Sequence, residues 1–299
     1  MTKPSLSIVI ASGAGGEFLF RCLDSLRDQV HADDVEVIVA DRCGAPTTKR
    51  VRADFPFVIL LEADRKKRLS VPELRLLGVQ KAKGKLVAVL EEHCVAPPNW
   101  VSTIQESFRD GDAAIGGPIL DASYGRLRDW VVYFSEYHNY LPPWDEGERF
   151  GLNGANVVYA RDKLLKHEAV LNSGYWEVVL HPLLYADGKF RAVPDLGVYH
   201  TGPFDYRYYL GQRYLLSRVW GGTQRTRVNP AKRLIYLVVA PVFPFMLLGR
   251  IGHRVLSSRR RIGKFLASLP LLFPVTVAYV WGEWLGYAIG YGNALKRVE

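Results

Sequence analysis

Polar side chains that could bind a charged ligand follow three apolar runs of this sequence. Glu91, Glu92 and His93 come directly after the run VAVL, and Ser12 and Asp41 end the runs SLSIVIA and VEVIVA. Carboxylate oxygen suits Mg²⁺ and Mn²⁺, while an imidazole nitrogen shifts the preference toward Mn²⁺ or softer ions. These residue types therefore predict a site for a metal ion or a phosphate group.

Alternating strand and helix patterns place these side chains at one edge of a sheet. The predicted strands are 5–12, 35–41, 57–61 and 86–90, and the predicted helices are 17–29 and 71–84. Near-continuous apolar strands that alternate with helices indicate a parallel sheet covered on both faces. Ligands bind beyond the carboxyl ends of the strands in such sheets, and the polar residues lie at those ends. The sequence therefore predicts an α/β fold with a ligand site at that edge.

The positive charge of the chain is confined to its C-terminal quarter. The net charge is +9, and residues 225–299 hold twelve Lys or Arg against two Glu. Basic side chains link two apolar segments, 234–249 and 265–292, which favours contact with anionic lipid and argues against nucleic acid as a partner. We predict a first domain at 1–224 and a membrane-associated tail at 225–299, whose helices lie in the interface or re-enter. A buried helical hairpin of a soluble protein is the alternative.

The N-terminus and the cysteines predict where the first domain works. MTKPSLSIVIAS enters a short strand at once, without the longer apolar region or cleavage site of a signal peptide. Three widely spaced cysteines without a CxxC pattern are most simply reduced thiols. We therefore expect this domain on the cytoplasmic face of the cell membrane.

Several stretches resemble, in order and spacing, the family 2 glycosyltransferases with the GT-A type of nucleotide-sugar fold. They are SIVIAS, FLFRCLDSLRDQ, VEVIVAD, GVQKAKGKLVAVLEEH, PPNWV, NGANVVYARDKL and ADGKFRAVPDLGVYH, within residues 5–220. The resemblance implies a mainly parallel, mixed central sheet flanked by helices. It also implies a transferase that uses a nucleotide-sugar donor, with a UDP-sugar favoured, and Mn²⁺ or Mg²⁺ as cofactor.

The resemblance implies a metal site after the run VAVL. Glu91, Glu92 and His93 stand where the family has its acidic DxD motif, so the usual second aspartate is a histidine. His200, at the end of a predicted strand, is a further candidate ligand, and Glu91 would also bind the donor. A divalent cation there would neutralise charge on a diphosphate leaving group. A polar loop without metal, and a satisfied core histidine at 200, are the alternatives.

The resemblance implies further donor-binding residues. Asp41 resembles the residue that hydrogen-bonds the base, Ser12 stands where the first strand meets the nucleotide, and Arg75 could pair with the diphosphate. Backbone N–H groups of the GAGG turn at 13–16 could approach phosphate. The alternatives are an Asx turn before Gly44 for the aspartate and a solvated charge on an exposed helix face for the arginine.

An inverting transfer needs a carboxylate that removes the proton of the acceptor hydroxyl as it attacks. Counting back from Gly188 places the family's Glu-Asp pair on Trp176 and Glu177. Glu177 is therefore the candidate base, and Trp176 is a candidate stacking surface for sugar. His181 lies one turn further along the same helix face. A charge on an amphipathic helix is the alternative for Glu177.

The remaining candidates lie on the acceptor side. Asn153, Gly154 and Asn156 belong to the stretch that resembles the family's acceptor-side loop and strand. Arg218 and Trp220 resemble part of its Arg-Trp motif, but the QxxRW spacing of processive synthases is absent. The sequence therefore predicts transfer of one sugar. The tail predicts a membrane-linked or lipid-linked glycan acceptor, in cell-envelope or exopolysaccharide synthesis.

Two other functions stay open at this point. The first is a non-catalytic, membrane-tethered nucleotide-sugar-binding protein of the same fold, in which the Glu-Glu-His triplet is a decayed metal site. The second is a nucleotidyltransferase, which would need a basic Gly-rich signature that SGAGGEFLF lacks. Candidate donor, metal and base groups in the family's order favour the enzyme.

Overall fold

The computed structural model describes residues 4–30, 34–64, 66–122, 124–172, 176–202 and 205–298, without the side chains of Trp176, Val178 and Lys296. The chain divides into two compact units. The first comprises Met1–Ala122 with Pro142–Gly202, and the second comprises Ser123–Leu141 with Pro203–Glu299. This division differs from the predicted boundary after residue 224, because helices at 127–137 and 206–224 pack with the C-terminal helices.

The first unit alternates strands and helices. Its strands are β1 (Leu6–Ser12), β2 (Val35–Asp41), β3 (Val58–Glu62), β4 (Leu86–Leu90), β5 (Cys94–Val95), β6 (Asp112–Gly116), β7 (Ile119–Asp121), β8 (Gly147–Glu148), β9 (Asn156–Ala160), β10 (Lys189–Ala192) and β11 (Val198–His200). Its helices are α1 (Gly16–Arg27), α2 (Ala45–Asp54), α3 (Val71–Lys81), α4 (Trp100–Ser107), α6 (Arg161–Leu165), α7 (Glu168–Leu171) and α8 (Trp176–Asp187); α5 (Leu127–Tyr137) belongs to the second unit.

Within the described residues, eight strands form one mixed sheet in the order β3-β2-β1-β4-β9-β6-β10-β8. Strands β3, β2, β1 and β4 run parallel, whereas β9 runs antiparallel to both of its neighbours. The strands β1, β2 and β4 are apolar almost throughout and nearly fully buried, as expected for strands covered on both faces. The predicted mainly parallel, mixed sheet flanked by helices is confirmed.

The antiparallel strand β9 brings a fourth segment to the carboxyl edge of the parallel strands. Its first residue, Asn156, pairs with Leu90, the last residue of β4. The N–H of Glu91 donates to the carbonyl oxygen of Ala155 at 3.1 Å. The loops that leave β1, β2 and β4 and the loop that enters β9 therefore meet at one edge.

Local signals explain why α3 starts where it does. Ser70 and Glu73 form a capping box, in which each side chain satisfies a backbone N–H at the helix start, and Pro72 occupies the first turn. The helix ends at Lys81, three residues before the end of the predicted helix. Gly84 then packs on the backbone of β1, where an added Cβ would lie 2.6 Å from the amide nitrogen of Ser7.

The second unit is helical. Besides α5, it contains α9 (Tyr206–Gln224), α10 (Pro230–Val239), α11 (Phe243–Ser258) and α12 (Ile262–Ile289), with a 3₁₀ turn at Ala240–Val242. Helices α9 and α12 touch backbone to backbone along what we call the glycine seam, formed by Gly221, Gly282 and Gly286. A Cβ added at any of the three would come within 2.2–2.5 Å of a carbonyl oxygen of the facing helix.

Two stretches of the described chain are long and apolar enough to cross a membrane, by length and composition alone. They are Pro230–Ser258 and Ile262–Ile289, of 29 and 28 residues. Of an apolar 18-residue segment within each stretch, 17% and 39% respectively is buried within the protein. The first stretch exposes a row of large apolar side chains, each more than half accessible: Leu234, Ile235, Val238, Val242, Phe245 and Met246. The second packs more closely, against α9 and α5.

Candidate active site

Helices α3 and α8 hold an ion pair between Arg75 and Glu177. The guanidinium Nη1 lies 2.9 Å from the carboxylate Oε1, although the two residues are 102 positions apart. The arginine side chain is 9% exposed and the glutamate side chain 34% exposed. The alternative of a solvated Arg75 is therefore wrong, and its guanidinium faces the predicted base.

Opposing effects act on the pKa of the Glu177 carboxyl group. Burial raises it, the guanidinium of Arg75 lowers it, and the nearby charge of Glu91 raises it again. The net direction is upward from the ordinary value. A carboxylate with a raised pKa holds a proton more strongly, which suits a general base, and the arginine favours the ionised form that can accept one.

The loop that enters β9 packs directly on this ion pair. A Cβ added at Gly154 would lie 1.6 Å from Oε1 of Glu177 and 3.1 Å from Nη1 of Arg75. The side chain of Asn153 accepts the N–H of Ala155 at 2.8 Å, which closes the turn around the glycine. The predicted acceptor-side residues 153 and 154 therefore lie at the predicted base, and the backbone can come this close only at a glycine.

Asn156 is built into the core. It is fully buried, its Oδ1 accepts the indole N–H of Trp100 at 3.1 Å, and its amide donates to the carbonyl oxygen of Leu196 at 2.6 Å. Asn156 joins β9 to α4 and to the residues before β11, and an acceptor role for it stays a prediction.

Ser12 and Asp41 form a buried pair at the ends of β1 and β2. The serine hydroxyl donates to Oδ1 at 2.7 Å, and the N–H of Gly44 donates to Oδ2 at 2.8 Å. The bond from Gly44 closes an Asx turn, which the sequence analysis gave as the alternative for Asp41. Both carboxylate oxygens thus already accept a hydrogen bond, so a nucleotide base would have to add to these contacts or replace them.

Glu92 points into the loop after β1. Its Oε1 accepts the N–H groups of Gly13 at 2.9 Å and Ala14 at 2.7 Å, and its Oε2 accepts the N–H of Gly15 at 2.8 Å. Burial raises the pKa of this carboxyl group, while His93 and the three N–H groups lower it. Glu92 therefore has backbone partners in the place of the predicted cation, and the GAGG turn holds a carboxylate in the place of the predicted phosphate.

Glu91, His93 and His200 lie near one another. The two imidazole rings are 6.1 Å apart between centroids, and the ring of Phe18 lies 4.8 Å from that of His93. Burial lowers the pKa of His200 to about 4, against the opposing charge of Glu91. His200 is therefore neutral near pH 7, which is the form that a metal ligand needs.

The described residues offer few ligands to a divalent cation. Within the described residues, no three His, Cys, Asp or Glu side chains form a group that could hold a metal by themselves. Glu91 and His93 provide one carboxylate and one imidazole. This pair fits a cation that takes most of its ligands from water and substrate phosphate, with the imidazole favouring Mn²⁺ over Mg²⁺, and it does not fit a closed protein cage.

His181 is a partner of Tyr159 rather than an exposed group. Its Nε2 lies 2.8 Å from the tyrosine hydroxyl, and its ring packs edge-on against Phe190. Burial lowers its pKa to about 3, so the ring stays neutral at physiological pH. The predicted stacking surface, the side chain of Trp176, lies outside the described residues.

Arg218 and Trp220 lie on α9 in the second unit. The arginine donates to the hydroxyl of Tyr214 at 3.2 Å and to the carbonyl oxygen of Gly290 at 3.4 Å. The tryptophan directly precedes Gly221 of the glycine seam on the same helix. The contacts of the arginine connect α9 with the residue that follows α12, and the acceptor role of both residues stays a prediction.

Arg42 was not among the predicted site residues. Its Nε donates to the carbonyl oxygen of Gly13 at 3.3 Å and its Nη1 to that of Leu69 at 2.6 Å. The signal available in the sequence was its place directly after Asp41, at the end of β2.

The mixed sheet, with carboxylates at the ends of its parallel strands, agrees with the family that the sequence motifs indicated. The model of the family described as Glycosyl transferase family 2 matches residues 7–171, more than half of the chain. The chain therefore belongs to this family, as the sequence motifs indicated.

Individual relatives are more distant. The succinoglycan biosynthesis protein ExoM of Rhizobium meliloti (strain 1021) is 28% identical over 134 residues, which are 43% of this chain and 42% of that protein. The matched region thus spans less than half the length of this curated relative.

Two solved structures share the fold. The mannosyltransferase PcManGT from Pyrobaculum calidifontis, in complex with GDP-Man and Mn²⁺, has a TM-score of 0.54 at 13% identity, over 96% of this chain and 86% of that one. TarS 1–349 of S. aureus, in complex with UDP-GlcNAc, has a TM-score of 0.51 at 11% identity, over 95% and 90%. At these identities the likeness shows the fold alone, and it confirms the predicted GT-A type.

Proposed function

We propose that this protein is an inverting glycosyltransferase that moves one sugar from a nucleotide-diphosphate sugar to a membrane-linked or lipid-linked acceptor. Its place would be in cell-envelope or exopolysaccharide glycan synthesis, which the relationship to ExoM supports. The observation that carries the proposal is the Arg75–Glu177 ion pair, packed under Gly154 at the carboxyl edge of the sheet.

Glu177 acts as the general base in this proposal. Its carboxylate takes the proton of the acceptor hydroxyl while that oxygen attacks the anomeric carbon and the nucleoside diphosphate leaves from the opposite face. A single displacement of this kind inverts the configuration. Arg75 keeps the carboxylate ionised and oriented, because its guanidinium bonds Oε1 and lowers the pKa of the carboxyl group.

The test of this role is Glu177→Gln, which keeps the shape of the side chain and removes the base. We expect kcat to fall by roughly 10²- to 10⁴-fold with donor affinity retained. The matched control is Glu168→Gln, which changes an exposed carboxylate on α7 that bonds only surface groups. Equal kcat for Glu177→Gln and the wild type would contradict the proposed base.

The donor is proposed to be a nucleotide sugar bound between the ends of β1, β2 and β4. Donor-bound structures of the same fold contain GDP-Man or UDP-GlcNAc, which supports a nucleotide sugar as the class of donor. Guanine and uracil both stay open as the nucleotide base, and the sequence favours a UDP-sugar. Ser12 and Asp41 would meet the nucleotide at this edge. Thermal unfolding against a panel of nucleotide sugars identifies the donor, because a ligand of the native state raises the midpoint.

Mn²⁺ or Mg²⁺ is the proposed cofactor, with Glu91 and His93 as its protein ligands and His200 as a further candidate. When bound, such a cation neutralises charge on the diphosphate. PcManGT holds Mn²⁺, which supports the use of a metal within the fold. We expect the donor-dependent rise in the unfolding midpoint to require the metal and to disappear in Glu91→Ala/His93→Ala.

A non-catalytic nucleotide-sugar-binding protein of the same fold is the second candidate. It is favoured by one observation, namely that both oxygens of Glu92 accept backbone N–H groups and so leave the triplet short of one ligand. Donor binding without sugar transfer to any acceptor, and without an effect of Glu177→Gln, would select this candidate over the enzyme.

The second unit is proposed to hold the protein on the cytoplasmic face of a membrane. The exposed apolar row on α10 and α11 and the 3₁₀ turn between them would enter the lipid. Exposed Arg259, Arg260 and Arg261 between α11 and α12, and Lys264 in the first turn of α12, would meet anionic headgroups. Co-sedimentation with vesicles that contain anionic lipid tests this, and salt should weaken it. Transfer to soluble sugar acceptors by a chain without residues 225–299 would contradict the lipid-linked acceptor.

A further inference from the structure

We propose that Glu92 is a positioning residue, which occupies an anion-binding nest with its own carboxylate and so fixes the loop at the donor edge. The nest is the set of backbone N–H groups of Gly13, Ala14 and Gly15. For its effect on the donor, the inference rests on the function proposed above. Its effect on the loop can be measured without any donor.

The loop has the geometry of a nest. Successive N–H groups turn toward one point when the backbone enters the left-handed region, and such concave surfaces bind anions. Gly15 and Gly16 both have φ near +63°, and a Cβ at Gly15 would lie 2.7 Å from Oγ1 of Thr47 and 3.0 Å from Sγ of Cys43. The turn therefore needs glycine, and the point where its N–H groups meet is the carboxylate of Glu92.

The carboxylate is buried and fully used. Glu92 is 4% exposed, and each of its oxygens accepts at least one N–H at 2.7–2.9 Å. Three hydrogen bonds from N–H dipoles stabilise the ionised form of a buried carboxyl group. The same oxygens would have to leave the loop before they could bind a cation.

Arg42 holds the loop from its other side. While Glu92 takes its N–H groups, the guanidinium of Arg42 donates to the carbonyl oxygen of Gly13 and also to that of Leu69, next to the residue that caps α3. The loop after β1 is thus held between a carboxylate that follows β4 and a guanidinium that follows β2. Because α3 carries Arg75, the same contacts connect the loop to the proposed base.

A donor phosphate is excluded from these N–H groups while Glu92 occupies them. The loop therefore contributes a fixed surface rather than a phosphate cradle. Loss of the carboxylate should free the loop and weaken donor binding, whereas the base remains in place. The expected kinetic signature is a rise in the donor KM that exceeds the fall in kcat.

The first experiment measures the nest directly in the full-length protein without metal or donor. Glu92→Ala should lower the midpoint of thermal unfolding by roughly 5 °C, because three backbone N–H groups, that of buried Gly15 among them, lose their partner. Acetate at about 100 mM, which can enter the vacated space, should then raise the midpoint of this variant by roughly 3 °C and leave the wild type unchanged. Chloride at equal ionic strength is the control for a general salt effect. Glu91→Ala, which removes the neighbouring carboxylate, is the control that the response to acetate belongs to position 92.

Glu92→Gln provides the second measurement if the alanine variant does not fold. One amide oxygen can still accept the N–H groups of Gly13 and Ala14, but the amide NH₂ would face the N–H of Gly15. Its midpoint should fall between those of the wild type and the alanine variant. Metal-free midpoints of both variants equal to the wild type, with no response to acetate, would overturn the nest and return Glu92 to the metal site.

The second experiment separates this inference from the proposed function. Donor affinity is measured for the wild type, Glu92→Gln and Glu168→Gln in the presence of Mn²⁺. A positioning role is supported if Glu92→Gln alone binds the donor roughly tenfold more weakly. The Mn²⁺ concentration that gives half of the metal's effect on donor binding should then stay unchanged. An unchanged donor affinity would overturn it, whereas no binding by the wild type would refute the proposed function and leave the acetate result standing.

Discussion

Replacing Gly154 by alanine should disable the proposed base without unfolding the protein. The added Cβ would lie 1.6 Å from Oε1 and 2.5 Å from Cδ of Glu177. Contact between such atoms requires about 3.5 Å, so the carboxylate must move by roughly 1.5–2 Å. Its bond to Nη1 of Arg75, now 2.9 Å, would then be lost or strongly bent.

The expected losses in kcat and in stability follow from where the added methyl group meets Glu177. A displacement of about 1 Å at a reacting group can cost roughly 10²-fold in rate, and we expect at least this loss in kcat. The carboxylate is the free end of a flexible side chain, so the protein can accommodate the methyl group by moving it. The free energy of unfolding should fall by only about 1–3 kcal/mol, the cost of one charge-assisted hydrogen bond.

The assay compares kcat, donor KM and the unfolding midpoint for Gly154→Ala with those for Gly125→Ala. At Gly125 an added Cβ meets nothing within 4 Å, so both kcat and stability should stay near the wild type. Wild-type kcat in Gly154→Ala would refute the assignment of Glu177 as the base. A kcat loss only in proportion to unfolded protein would refute the local displacement.

Three further predictions follow from the described contacts. Arg75→Gln should move the acid limb of the kcat/KM pH profile to higher pH. Burial and Glu91 raise the pKa of Glu177, and this variant removes the guanidinium that lowers it. An acid limb at the wild-type pH would contradict the pairing of Arg75 with Glu177. Asn156→Ala should lower the free energy of unfolding by about 2 kcal/mol or more in denaturant titration, since two buried partners lose their bonds, and acceptor KM should stay unchanged. Phe245→Ser should weaken vesicle binding roughly tenfold, and equal binding would exclude the exposed face of α11 from the lipid contact.

The raised pKa of Glu177 also makes the stability of the folded protein depend on pH. Because the folded pKa of Glu177 lies above its unfolded value, the folded protein binds this proton more tightly. The contribution of Glu177 to stability is therefore fully present below the unfolded pKa, and it decreases as pH rises from that value through the folded pKa. Glu177→Gln should flatten this part of the pH–stability curve.

Local sequence patterns predicted the sheet well. The strands at 35–41 and 86–90 have the predicted bounds, and β1 starts one residue later than predicted, because β-branched runs between turn residues are a local signal. The helix predicted at 71–84 ends at Lys81 because Gly84 must approach the backbone of β1, a contact between distant parts of the chain.

The site was less predictable because its contacts are not local. Glu92 reaches N–H groups 77 to 79 positions away, and Arg75 reaches Glu177 across 102 positions. No pattern in a single sequence distinguishes a carboxylate that binds a cation from one that binds a backbone loop. The turn at Asp41 was foreseen as an alternative because its partner, Gly44, lies only three residues away.

Homologues should diverge unevenly across the second unit. At Gly221, Gly282 and Gly286, even one added methyl group would collide with the backbone of the facing helix, so substitutions there have to be compensated by moving a whole helix. The exposed apolar positions of α10 and α11 have no such neighbours and can exchange one large apolar residue for another. Evolution can therefore vary the α10–α11 surface while the α9–α12 pair is inherited unchanged.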